Sequence, residues 1–278
     1  MFIVNNIKLV CPMCKGELDI VQGSKLFGVL KCCSCSNLYP LGNYFPGIPD
    51  LRPRELRIKL YEMAWFKIFG IEPEQQYDID IDRRVNEIPY YIALIKEYYS
   101  TEYHSKVERR FLEEFKRVIG KGKILSIGCG DGRELRLIKK DGLGVDIFPS
   151  NIVLSNSLGV KALLADMFNL PFEDEVFDGV LAIQSLEYVP LKLTHKALLE
   201  IYRVLKPSGI ALLSLEKTLS KDGVDEESNY VYEDEYVRVK KHFHRGWGRE
   251  GLKVISGIFK ILKLDEDREY YYMMITKS

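Results

Sequence analysis

No run of eighteen apolar residues occurs in this chain, so no segment reads as a membrane-spanning helix. Internal repeats and low-complexity tracts are also missing, which excludes repeat architectures and biased tails. Net charge is absent: 40 Lys and Arg are balanced by 40 Asp and Glu. A dedicated nucleic-acid binder carries a basic excess, so a large RNA footprint is disfavoured. Basic residues do cluster locally, at Arg52, Arg54, Arg57 and Lys59, and at Arg238, Lys240, Lys241, His242, His244 and Arg245. Such runs are more often solvated faces than binding sites. Residues Met1 to Val10 lack a basic n-region, a long apolar run and a small-residue cleavage site. The expectation is a cytoplasmic chain with reduced thiols.

What is present begins with cysteine. Cys11 and Cys14 form one C-x-x-C knuckle, Cys32 and Cys35 a second, with seventeen residues between them. That spacing fits a zinc ribbon. Each knuckle turns two thiolates toward one side of a metal, and Zn²⁺ prefers four soft ligands in a tetrahedron. Four protein ligands leave no open position, so the expected zinc is structural and supplies folding energy. Two disulfides, a redox pair or an eroded ribbon without metal are the alternatives. Cys33 is a spare that could replace Cys32.

The chain's 278 residues, 46% of them hydrophobic, suffice for one full domain and a small one. The ribbon is expected over 1–53, a helical linker or cap over 54–120, and the main domain over 121–278. In the linker, Leu56 to Lys67 and Tyr91 to Tyr99 suggest helices. A third, from about Ser105 to Ile119, carries Val107, Phe111, Leu112, Phe115, Val118 and Ile119 on one face. Gly120 would end it.

The main domain opens on Leu125-Ser126-Ile127-Gly128-Cys129-Gly130-Asp131-Gly132, an apolar strand running into a glycine-rich turn and then a helix. Such a turn offers free backbone N–H groups to a ligand. Alone it is ambiguous, because dinucleotide sites use similar turns. A second strand, Leu143 to Ile147, contains Asp146, an acid placed to accept hydrogen bonds from ribose hydroxyls. It lies only about a dozen residues past the glycines, short of the roughly 20 usual for dinucleotide folds. A third strand, Val160 to Ala165, leads into Asp166 and Met167, and a fourth spans Phe177 to Ile183. A helix ending near Lys206-Pro207-Ser208-Gly209 precedes a fifth, Ile210 to Leu215. Asp146 could instead cap a helix and Asp166 could be a turn residue. Cys129 reads as a small packing residue.

In order and spacing, "LSIGCGDG", "GVDI", "ADMFNLPFEDEVFDGVLA" and "RVLKPSGIALLS" resemble the class I S-adenosylmethionine (SAM)-dependent methyltransferases of type 11. The resemblance implies an α/β fold: a Rossmann-like sheet of seven strands with helices on both faces. It places Gly128, Gly130 and Gly132 under the methionine part of SAM, Asp146 at the ribose, and Asp166 with the Met167 backbone at the adenine. The family usually carries an acid, which helps place the amino-acid end of SAM, where this chain has Ser126. Asp131 and Glu134 are nearby acids that could substitute.

The segment "CPMCKGELDI…LKCCSCSNLYPLGNYFPGIPDLRP" resembles the Trm112-like zinc ribbons, a family that includes partners activating methyltransferases of tRNA, rRNA and translation factors. The fusion implies methyl transfer to an RNA or a translation-related protein. The alternatives are a small-molecule methyltransferase and a non-catalytic methyltransferase-like partner. Gln184, Glu187 and Tyr188, after the fourth strand, are the polar groups nearest the expected acceptor, with no catalytic role as an equal reading. His242, His244 and Trp247 are further acceptor-contact candidates, and His195 reads as surface. The D/N-P-P-Y/F signature of amino-group DNA methylases and the Pro-Cys nucleophile of cytosine-C5 enzymes are both absent. Past Glu216, a polar loop to Asn229, a strand or helix from Tyr230, a helix or turn over Gly251 to Lys260, and two closing antiparallel strands are expected.

Overall fold

The structure is a computed structural model. It describes residues 1–54, 57, 105–138, 142–219, 226–234 and 237–278, with 226–244 described by backbone alone. The two expected linker helices, Leu56 to Lys67 and Tyr91 to Tyr99, lie outside the described residues. Contacts divide the chain into two units, 1–102 with 129–176 and 103–128 with 177–278.

In the first unit, β1 (Phe2–Val4) and β2 (Ile7–Leu9) form an antiparallel pair. Strands β3 (Leu18–Gly23), β4 (Gly28–Cys32) and β5 (Leu38–Leu41) form a three-stranded antiparallel sheet. After the glycine turn come α2 (Arg133–Ile138), β7 (Leu143–Asp146), α3 (Pro149–Ser157) and β8 (Ala162–Leu164). Every residue of β7 and β8 is buried. Such unbroken burial is typical of parallel strands covered on both faces, and β7 and β8 pair in parallel.

The second unit begins with α1 (Lys106–Ile119). Ser105 caps it by accepting from the Glu108 N–H at 3.1 Å, and Phe111, Leu112 and Phe115 on its apolar stripe are buried. β6 (Ile124–Ile127) and β9 (Phe177–Ile183) follow, in parallel register. A Cβ on Gly179 of β9 would lie 2.6 Å from the Phe115 ring, so glycine there admits α1. A 3₁₀ turn (Leu186–Tyr188) leads into α4 (Leu191–Val204). β10 spans Leu205–Glu216, longer than the expected Ile210 to Leu215. Its register on β9 shifts between Leu205 and Ile210, which accommodates Pro207 without breaking the strand. β11 (Glu226–Asp234) and β12 (Val237–Gly246) pair antiparallel, then α5 (Arg249–Ile258), β13 (Phe259–Glu266) and β14 (Tyr270–Lys277) close the chain.

Seven strands share one sheet in the order β13-β14-β10-β9-β6-β7-β8. β14 runs antiparallel to β10, and β13 to β14, as the two closing strands were expected to. This is the expected mixed α/β, Rossmann-like sheet beside a small antiparallel β region.

Candidate functional site

The four thiols of Cys11, Cys14, Cys32 and Cys35 converge in the first unit, all within 4.8 Å of one another. Cys11 and Cys35 sulfurs are 3.6 Å apart, and those of Cys14 and Cys32 3.5 Å. A tetrahedron with Zn–S near 2.3 Å needs S···S separations of about 3.8 Å, so the cluster fits the metal. Each knuckle is followed by a residue of positive φ, Lys15 at 58° and Ser36 at 61°, which turns the chain away from the thiols. A Cβ on Gly16 would come within 2.9 Å of the Cys32 sulfur, so only glycine passes there. Burial opposes the Cys32 thiolate, yet N–H groups of Cys35 and Ser34 aimed at its sulfur bring the thiol down to about 7. Cys33 points elsewhere: its exposed thiol donates to Asp19 at 3.4 Å.

In the same unit the glycine turn faces the end of β7. Asp146 is buried and spans two loops: Oδ2 accepts from the Gly130 N–H at 3.0 Å and Oδ1 from the Phe148 N–H at 2.9 Å. Burial raises its pKa, and hydrogen bonds from the Phe148, Gly130 and Ile147 amides and the Asn151 side chain oppose that rise. Helix α3 starts from Phe148 with no side-chain cap, so Asp146 does not cap it. The Ile147 amide and the Asn151 side chain also donate to this carboxylate, so it is held at the strand tip from several sides. Gly130 has φ 53°, and a Cβ added there would meet nothing within 4 Å. Gly132, φ 78°, has Val160 within 2.9 Å of the same position, so it is held by packing. The open side of Gly130, beside the fixed carboxylate of Asp146, fits SAM.

Asp166 is buried after β8, and its Oδ1 accepts from the Phe168 N–H at 3.0 Å, a turn-making bond. Met167 beside it is half-buried. Phe148, exposed next to Asp146, drew no notice in the sequence, although a large apolar residue just after the strand-tip acid is a readable signal. The Cys129 sulfur fills the space a Cβ on Gly144 would need, 2.5 Å away, and burial raises its thiol pKa. That is a packing role. The acids named as substitutes for the missing one are both engaged: Asp131 pairs with Arg136, and Glu134 with Arg133 at 2.8 Å. Ser126 is buried in β6 of the second unit.

In the second unit, Gly128 has φ 65°, and a Cβ there would lie 2.5 Å from that of Ser185. Gln184, φ 48°, donates its backbone N–H to Ser214 Oγ at 3.0 Å and is half-buried. Tyr188 is exposed, whereas Glu187 is 2% exposed. Glu187 Oε1 accepts from the Glu216 N–H at 2.8 Å, and Oε2 has no hydrogen-bond partner among the described residues. Burial pushes its pKa up to about 8, so the carboxyl is largely protonated at neutral pH. Trp247 is fully buried, with its backbone N–H donating to Glu216 at 2.7 Å and Arg245 stacked over its ring at 3.8 Å. This corrects the expectation that Trp247 contacts an acceptor: its ring is interior. The His242 and His244 side chains lie outside the described residues, and His195 is exposed on α4.

The basic clusters are corrected too. Arg52, Arg57 and Arg245 are buried, because each spends its guanidinium inside the protein. Arg52 pairs with Asp50 at 2.8 Å, Arg57 donates to the Leu38 carbonyl at 2.9 Å, and Arg245 donates to Thr194.

Glu187 gives a testable pH dependence. Its folded pKa lies above the usual 4.5, so between 4.5 and about 8 the unfolded chain releases a proton that the folded one keeps. Stability therefore falls as pH rises across that window. Glu187→Gln removes the effect, and its stability advantage over the parent should grow from near zero at pH 4 to on the order of 4 kcal/mol at pH 8. Denaturant melts at both pH values measure this, and a difference independent of pH would refute it.

A glycine turn facing a strand-tip acid, on a parallel sheet closed by an antiparallel hairpin, defines a Rossmann-like domain for a nucleoside-bearing cofactor. A family model described as a methyltransferase domain matches residues 125–213. Uncharacterized protein MJ1123 of Methanocaldococcus jannaschii is 30% identical over 169 residues, 56% of this chain and 78% of that protein. Sterol 4-C-methyltransferase strm-1 of Caenorhabditis elegans is 40% identical over 31% of this chain and 28% of its own length. Probable tRNA methyltransferase 9B of Homo sapiens is 33% identical over 36% of this chain and 22% of its own length. The chain thus spans under a third of the latter two. A solved S-adenosylmethionine-dependent methyltransferase from Clostridium acetobutylicum superposes with a TM-score of 0.51 at 18% identity, covering 68% of this chain and 98% of that one. At that identity the likeness shows the fold alone. The chain belongs to the class I SAM-dependent methyltransferases.

Proposed function

We propose that this enzyme methylates an RNA or a translation-related protein in the cytoplasm, with a structural zinc in its amino-terminal ribbon. The observation that carries this reading is the four-thiol cluster, a zinc-fitting module in the same unit as the glycine turn. Its sequence resembles the Trm112-like ribbons, and one relative is named as a tRNA methyltransferase. In this reading Asp146 holds the ribose, Gly130 passes under the cofactor, and Asp166 and Met167 face the adenine. SAM, when bound, supplies a methyl group on a good leaving group, so the protein's task is alignment and exclusion of water. Gln184 and Tyr188, the less buried of the polar groups after β9, orient the acceptor. Glu187, sealed against Glu216, supports them from behind.

A small-molecule acceptor is the second reading. The burial of Arg52, Arg57 and Arg245 favours it, because those guanidinium groups do not face phosphates from the surface.

The test is transfer of labelled methyl from SAM into an extract of the source cell, split by nuclease and protease sensitivity. Label in the nuclease- or protease-sensitive fraction is the expected result. Label confined to small molecules would overturn the first reading in favour of the second.

A further inference from the structure

The first unit carries hydrogen bonds from the ribbon to both loops that follow the nucleoside-side strands. Leu51 donates its N–H to the Leu164 carbonyl at 2.8 Å, and Asp50 bridges Leu164 in parallel, two residues before Asp166. Arg52, 4% exposed, grips the Asp50 carboxylate with Nε at 2.9 Å and Nη2 at 2.8 Å. That bidentate hold aims Nη1 at the Ile147 carbonyl, 3.1 Å away, in the residue after Asp146. The first knuckle reaches the other loop. Val10, next to Cys11, donates its N–H to the Pro171 carbonyl at 3.0 Å. Lys15, next to Cys14, donates from Nζ to the carbonyls of Leu170 at 3.0 Å and Pro12 at 3.1 Å. The two loops are tied to each other by the Ala165 N–H donating to the Asp146 carbonyl at 3.1 Å.

We propose that the ribbon clamps the nucleoside side of the cofactor site, with Arg52 as a positioning residue that fixes the loop bearing Asp146 and the Cys11–Cys14 knuckle fixing the loop after Asp166. The proposal rests on the reading of Asp146 and Asp166 as cofactor residues. Arg52 touches neither cofactor nor acceptor in this scheme; it acts through the Ile147 carbonyl. Ordering of the knuckle by a metal would pass to residues 170–171 through two bonds that begin within one residue of a thiol ligand. The metal state and the cofactor affinity would then be coupled, although the metal takes no part in the chemistry.

Full-length protein and the Arg52→Lys variant would be compared by two readouts. Lysine keeps the charge opposite Asp50 and loses the fork that also reaches Ile147. The first readout is amide hydrogen exchange without cofactor. Exchange over 146–149 should rise in Arg52→Lys, exchange over 165–171 should rise when the parent is treated with a chelator, and β9 should be unchanged in both. The second is calorimetric affinity for S-adenosylhomocysteine and for methylthioadenosine, which lacks the amino-acid end. Both ligands should weaken by the same factor, about tenfold, as expected for a charge-assisted hydrogen bond lost on the nucleoside side. Chelation should weaken them likewise, with recovery on adding Zn²⁺ back.

Unchanged exchange in both loops overturns the clamp, whatever the affinities. Weakening confined to S-adenosylhomocysteine also overturns it, because the effect would then lie at the amino-acid end. Failure of the parent to bind either ligand overturns the cofactor reading instead, and the exchange data still decide the clamp.

Discussion

Asp146→Ala is expected to raise the Kd for SAM by at least about 100-fold, measured by calorimetry. The carboxylate joins the Gly130 and Phe148 amides, so its loss frees the glycine turn and the start of α3 together. In the proposed reading it also removes the acceptor for the ribose. Hydrogen bonds to charged groups are worth roughly 1.5–3 kcal/mol each, and two of them correspond to about 100-fold or more. Asp146→Asn retains one carbonyl oxygen and should fall between. Unaltered affinity in Asp146→Ala would place the ribose elsewhere.

The second large effect concerns the metal. Purified protein should carry one zinc per chain, and Cys11→Ser should lose it. Structural zinc contributes an apparent ~10–16 kcal/mol in small zinc-finger peptides, so a ribbon deprived of it should unfold. Tyr39, whose hydroxyl lies 3.1 Å from the Cys11 sulfur, is fully buried in that ribbon, and its exposure gives a spectroscopic signal of the loss. Metal analysis well below one equivalent in protein never exposed to chelator would remove zinc from the account.

The sheet was legible because β6, β7 and β9 are short, mostly apolar stretches lying beside glycine or acid signals, and α1 because its apolar stripe keeps helical period. β12 was not. After the alternating Val237-Arg238-Val239-Lys240, the stretch Lys241 to Arg245 mixes aromatic and basic residues without a clear strand pattern, and its hairpin partner β11 begins within a polar stretch. The start of β10 was hidden by Lys206-Pro207-Ser208-Gly209, a stretch that locally favours a turn. Gly130 and Asp146, both singled out in the sequence, lie one hydrogen bond apart. The burial of Arg52 was beyond periodicity, since it depends on an acid two residues back and a carbonyl 95 positions on. Glu187 stood out only as a polar residue after a strand; its raised pKa comes from tertiary burial that no local pattern carries.

The short strand β8 has one further consequence. It is the last strand of the sheet, three residues long and wholly buried, and its outer side receives the Asp50–Leu51 segment. An uncovered terminal strand is a template for pairing with another chain, and natural proteins blunt such strands with short length or a covering segment. The residues leaving the ribbon act as that cover. Cutting the ribbon away at residue 53 would leave an apolar Ala-Leu-Leu ledge open to self-association. An inactive, aggregating truncation would therefore report a lost guard on the sheet rather than lost recognition of a substrate, and point changes at exposed ribbon residues are the cleaner way to ask what the module recognises.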